Sequence, residues 1–398
     1  MYTRLALTLI VVCGALGVAT GSAIAADPIR LSTGGSDTSL TTTMNVSGTY
    51  IASSAIKKKK VVIRLFAVRG GVAVQLPALP FKPDEGIDVV SREDGGVPCV
   101  TADVRSSPYV ACLEGGAWKE RRFTGEARTQ SLNGVVSYAG SQYAFLDATD
   151  RGAFEKALSD ERKLRRFRFQ TVVRRWDGTA WVAAGSAVPD FKYALTAITV
   201  PIFCAVAVAP GSCDAPLLFS LGFSLKSKKV TLGTSVVVAG RWVDDPTRRM
   251  GNLDVEVVGT PGYIDGQLLI PRRTGKRLEL ISRGSAGVKT TKVGLLAGDE
   301  MDANVGVVAG RAWIAWADGK VPKTKRATQG KAQIHVAPLD TAAATAGAPQ
   351  SFGTVAYSLA AGVPSPFVLE ADGALYVAYV ESRKSGDVVV VAPGNAAG

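Results

Sequence analysis

The phrase Gly310-Arg311-Ala312-Trp313-Ile314-Ala315-Trp316 returns later in the chain as Gly373-Ala374-Leu375-Tyr376-Val377-Ala378-Tyr379. Each copy starts at a glycine and then reads aromatic, β-branched residue, alanine, aromatic. Looser copies occur at Gly48-Thr49-Tyr50-Ile51-Ala52, Ser107-Pro108-Tyr109-Val110-Ala111 and Gly140-Ser141-Gln142-Tyr143-Ala144-Phe145. A strand phrase that recurs at intervals of tens of residues points to a radial or stacked β architecture, in which each unit buries its apolar faces against its neighbours.

Other features of the chain agree. Runs rich in Val, Ile, Phe, Tyr and Trp alternate with clusters of Gly, Asp, Asn and Pro, the pattern of short strands and turns. Arg69-Gly70-Gly71, Glu114-Gly115-Gly116 and Asp177-Gly178 each separate two apolar runs, and glycine supplies the positive φ that tight hairpin turns need. Taking one aromatic per unit gives the anchors Tyr50, Tyr109, Tyr143, Phe203, Trp242, Trp313 and Tyr376. Trp242 enters because Val237-Val238-Ala239-Gly240-Arg241-Trp242 echoes Val307-Val308-Ala309-Gly310-Arg311-Ala312-Trp313. Their spacing is irregular but averages the length of a four-stranded propeller blade with its loops. The expected fold class is therefore all-β, a β-propeller of seven blades, with six or eight also fitting the spacing. The last run, Asp387–Ala392, leaves its blade a strand short. The early runs Ile29–Ser32 and Thr41–Val46 are available to complete it and so remove an exposed sheet edge. Gly152–Phe167 departs from the pattern, with Phe154, Ala157, Leu158 and Leu164 near helical spacing. It is expected to form a short helical insertion near 152–167, either a cap over one face or simple decoration.

The chain has 398 residues, more than one compact core of about 250 residues holds. No long Pro- or Ser-rich linker divides it. Arg4, the apolar stretch Leu5–Val18 and Ala23-Ile24-Ala25 have the layout of a secretory signal peptide, with an uncleaved anchor as the alternative. The expected organisation is a signal peptide over 1–25 and a single propeller domain over 26–398. The chain would then be exported, to the periplasm, the outer surface or the medium, with no membrane span once the signal is removed.

Cysteine usage fits an oxidising compartment. Beyond Cys13 there are four cysteines. Cys99 with Cys112 and Cys204 with Cys213 are the natural pairs, though four cysteines allow three pairings. A zinc site is the rival, but there is no C-x-x-C and the single histidine, His335, is remote in sequence. No metal and no cofactor is expected.

Charge is the clearest clue to partners. The net charge is +12, concentrated in Lys57–Lys60, Arg162 to Arg168, Arg174-Arg175, Lys226 to Lys229, Arg272 to Lys276 and Lys320 to Lys331. Such a field attracts anionic polymers or surfaces over a Debye length of about 8–10 Å. The same charges also serve as solvated loop tips that keep a β-rich surface soluble. Arg165, Arg166, Arg174, Arg175, Arg272 and Arg273 are the basic candidates for binding. No specific nucleic-acid partner is implied.

The residue supply restricts catalysis. A Ser-His-Asp triad would have to use His335, which lies in the strand-like run Gln333-Ile334-His335-Val336. No phosphate loop, dinucleotide fingerprint, H-E-x-x-H or EF-hand pattern is present. Glu114, Asp318 and Glu381 each stand five residues after an anchor aromatic. If those positions are equivalent they form a carboxylate ring on one face, suited to glycosidic acid/base chemistry or cation binding. As ordinary strand-end residues they would instead satisfy backbone N–H groups.

Trp176-Asp177-Gly178-Thr179-Ala180-Trp181 and Gly373–Tyr379 resemble blades of secreted bacterial β-propellers of the sialidase-like or kelch-like kind. The resemblance extends over most of the mature chain through motifs of low specificity. Asp177 and Gly178 are adjacent, whereas an Asp-box spaces them by one residue. There is no WD40 Gly-His…Trp-Asp signature, and no sialidase catalytic residue is matched. The sequence thus points to an exported binding or scaffold propeller without catalysis, facing an anionic glycan, an envelope surface or a protein partner. The enzymatic alternative is a glycoside hydrolase or polysaccharide lyase on the same scaffold.

Overall fold

The computed structural model describes residues 27–32, 43–57, 60–83, 87–90, 98–105, 107–138, 141–148, 151–158, 160, 162–163, 171–185, 199–202, 217–223, 230–238, 241–244, 250–253, 256–257, 262–264, 267–284, 287–298, 300–322, 328–359, 362–384 and 386–395. The proposed signal peptide, Phe203, Cys204 and Cys213 lie outside these residues.

The described strands form seven antiparallel sheets of four or five strands, and the chain is a β-propeller. In chain order, blade A runs from Thr43–Ser47 to Val72–Gln75 and blade B from Asp88–Val90 to Ala117–Glu120. Blade C spans Ser131–Tyr138 to Trp181–Ala183, and blade D spans Thr199–Ile202 to Arg241–Asp244 with Met250–Leu253 added. Blade E runs from Glu256–Val257 to Gly287–Leu295, and blade F from Glu300–Val308 to Gln350–Ser358. Blade G holds Phe367–Ala371, Ala374–Glu381 and Val388–Pro393. Its fourth strand is Ile29–Ser32, paired antiparallel with Val388–Pro393 so that Ile29 faces Val391 and Ser32 faces Val388. The start of the chain therefore completes the last blade, as expected from the unfinished C-terminal unit. The other early run forms the inner strand of blade A. The first strands of blades F and G, G and A, A and B, B and C, and C and D touch one another, which places the first strand of each blade innermost.

This packing explains the repeated phrase. Successive side chains of a strand point to opposite faces, so aromatics three residues apart leave on opposite sides. Trp313 packs with Leu375, Val377 and Tyr379 in the seam between blades F and G. Trp316, on the other side of the same strand, packs with Leu269, Leu278 and Leu280 in the seam between blades E and F. Tyr379 and Tyr376 divide in the same way, the first toward blade F and the second toward Ile51 and Phe66 of blade A. The second strands of blades F and G thus each deliver one large ring to each flanking seam, and the alanines between the rings let neighbouring sheets approach. Eight consecutive residues of Arg311–Lys320, from Ala312 to Gly319, are buried, because a propeller blade is covered on both faces. Truncating a buried ring such as Trp313 costs about 3–5 kcal/mol.

The glycine that opens each full copy is a turn residue. Ala309 and Gly310 have φ of 48° and 75°, and Asp372 and Gly373 have φ of 52° and 74°. Positive φ at both central residues is the signature of a type I′ hairpin, whose twist matches the flanking strands. Adjacent blades are tied at these turns. Glu370 accepts from the Ala309 N–H at 3.0 Å, and Asp372 accepts from the Gly70 N–H.

Among the described residues, helix is found at Arg151–Leu158, at Arg162 and Lys163, and in a 3-10 turn at Gly125–Thr129. The α-helix lies between the second and third strands of blade C, where an insertion was expected, and buries Ala157 while Glu155 and Lys156 are exposed. Cys99 and Cys112 form a disulfide between facing positions of the second and third strands of blade B. Gln142, from the next blade, donates from its side-chain amide to Cys99 Sγ at 2.8 Å.

Candidate functional site

Strand parity decides which loops share a face. In blades A to F the chain runs outward through antiparallel strands, as it does through the first three strands of blade G, and Ile29–Ser32 adds the fourth antiparallel to the third. The inner-to-second and third-to-outer turns therefore emerge on one side, called here the turn face. The second-to-third turns and the inter-blade linkers emerge on the other, the linker face.

Most of the basic clusters fall on the linker face. Lys57 and Lys60 are paired across the second-to-third turn of blade A, and Lys60 is exposed. Lys156, Arg162 and Lys163 are exposed in the same connection of blade C, as are Lys276 and Arg277 in blade E. In blade F the exposed pair Lys320 and Lys331 flanks that connection, and Lys384 occupies it in blade G. Exposed carboxylates on this face are fewer among the described residues: Asp88, Glu120, Glu126 and Glu155. The turn face mixes exposed Arg69, Arg175 and Arg311 with exposed Asp177, Asp340 and Asp372.

The six arginines singled out from the sequence separate accordingly. Arg165 and Arg166 lie outside the described residues. Arg174 and Arg175 sit on the third strand of blade C toward the turn face, opposite Ala144 and Tyr143. Arg272 is drawn inward: its guanidinium meets Glu279 at 2.6 Å, and Thr274 Oγ1 donates to the same carboxylate at 3.0 Å. Burial alone would raise the Glu279 pKa, but these hydrogen bonds and the charges of Arg272 and Arg277 hold it below its ordinary value. Arg273 donates from Nε to the Gly275 carbonyl at 3.0 Å.

The three candidate carboxylates do not share a face. Trp313 and Tyr376 are on second strands, whereas Tyr109 is on the third strand of blade B, which runs the other way. Asp318 and Glu381 consequently lie toward the linker face and Glu114 at the turn face. Each has partners. Glu114 accepts from Arg121 at 2.9 Å and pairs with Lys119 at 3.4 Å, and the Arg121 hydrogen bond leads the effects that depress its pKa. Asp318 is buried and accepts from the Ala297 and Gly298 N–H groups at 2.5 and 2.6 Å. Glu381 pairs with Arg383 at 2.7 Å.

His335 stacks on Trp316 with centroids 5.0 Å apart and 22° between planes. Burial lowers its pKa, against a smaller opposing pull from Asp318. Asp177 holds its own turn, accepting from the N–H groups of Thr179 and Ala180, each at 2.8 Å.

One cavity, of about 210 Å³, opens on the linker face where blades F, G and A meet. Asp302 reaches it from the inner strand of blade F, Ser365 from the linker between blades F and G, and Ser382 and Asp387 from the second-to-third turn of blade G. Met44, Val363 and Val380 supply apolar wall. Asp302 accepts from the Ala303 N–H at 2.7 Å, and burial is the leading effect on its pKa, which is raised. Ser382 donates to Asp387 at 2.8 Å, and Tyr357 donates its hydroxyl proton to Glu300 at 3.2 Å. Asn304 holds the linker between blades F and G, its amide donating to Ser365 Oγ and the Pro366 carbonyl, both at 2.9 Å. Sequence reasoning passed over these residues. The available signal was the polar alternation Glu300, Asp302, Asn304 in an otherwise apolar strand, a stripe on one side of it.

No family model matches the chain, and no curated protein matches it. Solved structures do. The β-propeller domain of the Trilobed protease from Pyrococcus furiosus is 8% identical, with a TM-score of 0.48, over 89% of this chain and 94% of that one. A putative TolB from Agrobacterium tumefaciens is 7% identical, with a TM-score of 0.40, over 81% and 92%. A puromycin-hydrolyzing peptidase of Mycobacterium tuberculosis is 11% identical, with a TM-score of 0.42, over 87% of this chain. This chain spans 59% of that peptidase's length.

Proposed function

We propose that this chain is an exported, non-catalytic binding propeller whose linker face receives an anionic polymer, an acidic glycan or an anionic envelope surface. The observation that carries the reading is the parity of the strands: clusters far apart in sequence, in blades A, C, E, F and G, converge on one face. Charges spread over one broad face act together on an extended polyanion, whereas each alone is screened within about 8–10 Å. The sialidase-like or kelch-like likeness of single blades fits a glycan partner, and a protein partner with an acidic surface is the nearest variant of the same reading. The glycoside hydrolase or lyase alternative gains less support. Glu114 is on the opposite face from Asp318 and Glu381, and all three are engaged by arginines or backbone N–H groups.

The test is binding of the mature chain to an array of acidic and neutral glycans at low and high salt, repeated with Lys60→Glu, Lys276→Glu and Lys384→Glu combined. The expected result is binding to acidic glycans that weakens with salt and falls at least tenfold in the triple variant. Equal binding to neutral glycans, or none to acidic glycans at low salt, overturns the reading.

A further inference from the structure

We propose that the cavity between blades F and G is a binding site for a primary ammonium group carried on a small organic skeleton. The proposal stands apart from the polyanion reading, because the cavity is acidic where the surrounding face is basic. Its polar lining is dominated by acceptors. Asp302 and Asp387 are carboxylates, and Tyr357 has already committed its proton to Glu300. The Ser365 hydroxyl oxygen receives the Asn304 amide. A ligand that satisfies such a lining must bring donors, and an ammonium brings three together with a positive charge.

The electrostatics point the same way. Among the described residues no Lys, Arg or His pairs with the half-buried Asp302, whose interactions are the Ala303 N–H and the Ser365 hydroxyl. A carboxylate withdrawn from water without a counter-charge is costly, and its raised pKa records that cost. Glu279 leaves water beside Arg272, and the buried Asp318 does so against two backbone N–H groups. Asp302 instead faces a space large enough for a ligand. An ammonium there would supply the missing partner, while Met44, Val363 and Val380 would cover the carbon skeleton.

The experiment is titration calorimetry on the full chain at physiological salt, with glucosamine as the amine probe and N-acetylglucosamine as its uncharged counterpart. Glucosamine is expected to bind at least tenfold tighter than N-acetylglucosamine. Asp302→Asn, which keeps the shape and an acceptor but removes the charge, is expected to lower glucosamine affinity about tenfold and to leave N-acetylglucosamine unaffected. Should Asp302→Asn fail to fold, Asp387→Asn is read in its place with the same expectation. Equal affinity for the two sugars, no binding of glucosamine, or an undiminished affinity in the folded variant overturns the proposal.

Discussion

Lys320 and Lys331 stand directly opposite each other on the second and third strands of blade F, both exposed at the linker face. Like charges at facing positions of an antiparallel pair destabilise a sheet, by a few tenths of a kcal/mol up to about 1 kcal/mol. Stability alone does not explain such a pair; the proposed anion-binding role of this face would.

The pair allows stability and binding to be separated. Lys320→Glu is expected to raise unfolding stability by about 0.5 kcal/mol, because repulsion becomes attraction. Lys320→Glu with Lys331→Glu restores repulsion and returns stability toward that of the parent. Affinity for an acidic glycan should fall at each step. Urea unfolding and glycan titration on the same three proteins check both trends, and an affinity that tracks stability instead would count against the linker face as the binding surface.

Arg121 is expected to matter far more than the carboxylate it pairs with. Its guanidinium reaches Glu114, donates to Gln142 of the next blade at 2.6 Å and lies 5.1 Å from the centroid of Trp176, while its carbonyl accepts from Trp181 Nε1 at 2.9 Å. Arg121→Met keeps the aliphatic stem and the backbone carbonyl but strips the guanidinium contacts, and should cost about 2–3 kcal/mol. Glu114→Gln weakens two partly exposed pairs, with Arg121 and Lys119, and should cost less than about 1 kcal/mol. Denaturant midpoints distinguish the two. A larger loss for Glu114→Gln would mean that the carboxylate, not the guanidinium, organises the seam between blades B and C.

The single histidine makes one pH dependence assignable. His335 is neutral-favouring in the fold because burial lowers its pKa below 6.5. Its contribution to stability is present above 6.5 and is lost as pH falls from 6.5 through the lower folded value, since the unfolded chain takes up the proton first. Unfolding free energy should therefore decline across that window before the carboxylates titrate. His335→Gln should flatten the slope there. An unchanged slope in the variant would assign it to other groups.

Much of the fold was legible because propeller seams are built from local strand patterns. The aromatic, β-branched, alanine, aromatic phrase marks second strands at Tyr50, Tyr143, Trp313 and Tyr376, and the glycines before Trp313 and Tyr376 mark the I′ turns. The same phrase misleads at Tyr109, on a third strand, and at Trp242, on an outer one. All strands that must be apolar on both faces look alike in sequence, and position within the blade is set by pairing partners far along the chain.

By itself the sequence determined the all-β character, the hairpin turns, the clustered positive charge and the facing Cys99 and Cys112, because each depends on residues close in the chain. Only the tertiary structure decided which face a loop occupies. One strand more or less before a turn reverses its direction, so Glu114 parted from Asp318 and Glu381 while Lys60, Lys276, Lys320 and Lys384 came together. It also decided that Arg272 is held by Glu279 and that Asp302 borders a cavity beside Ser365. Those neighbours come from different strands, linkers and blades, and no local pattern records which of them will meet.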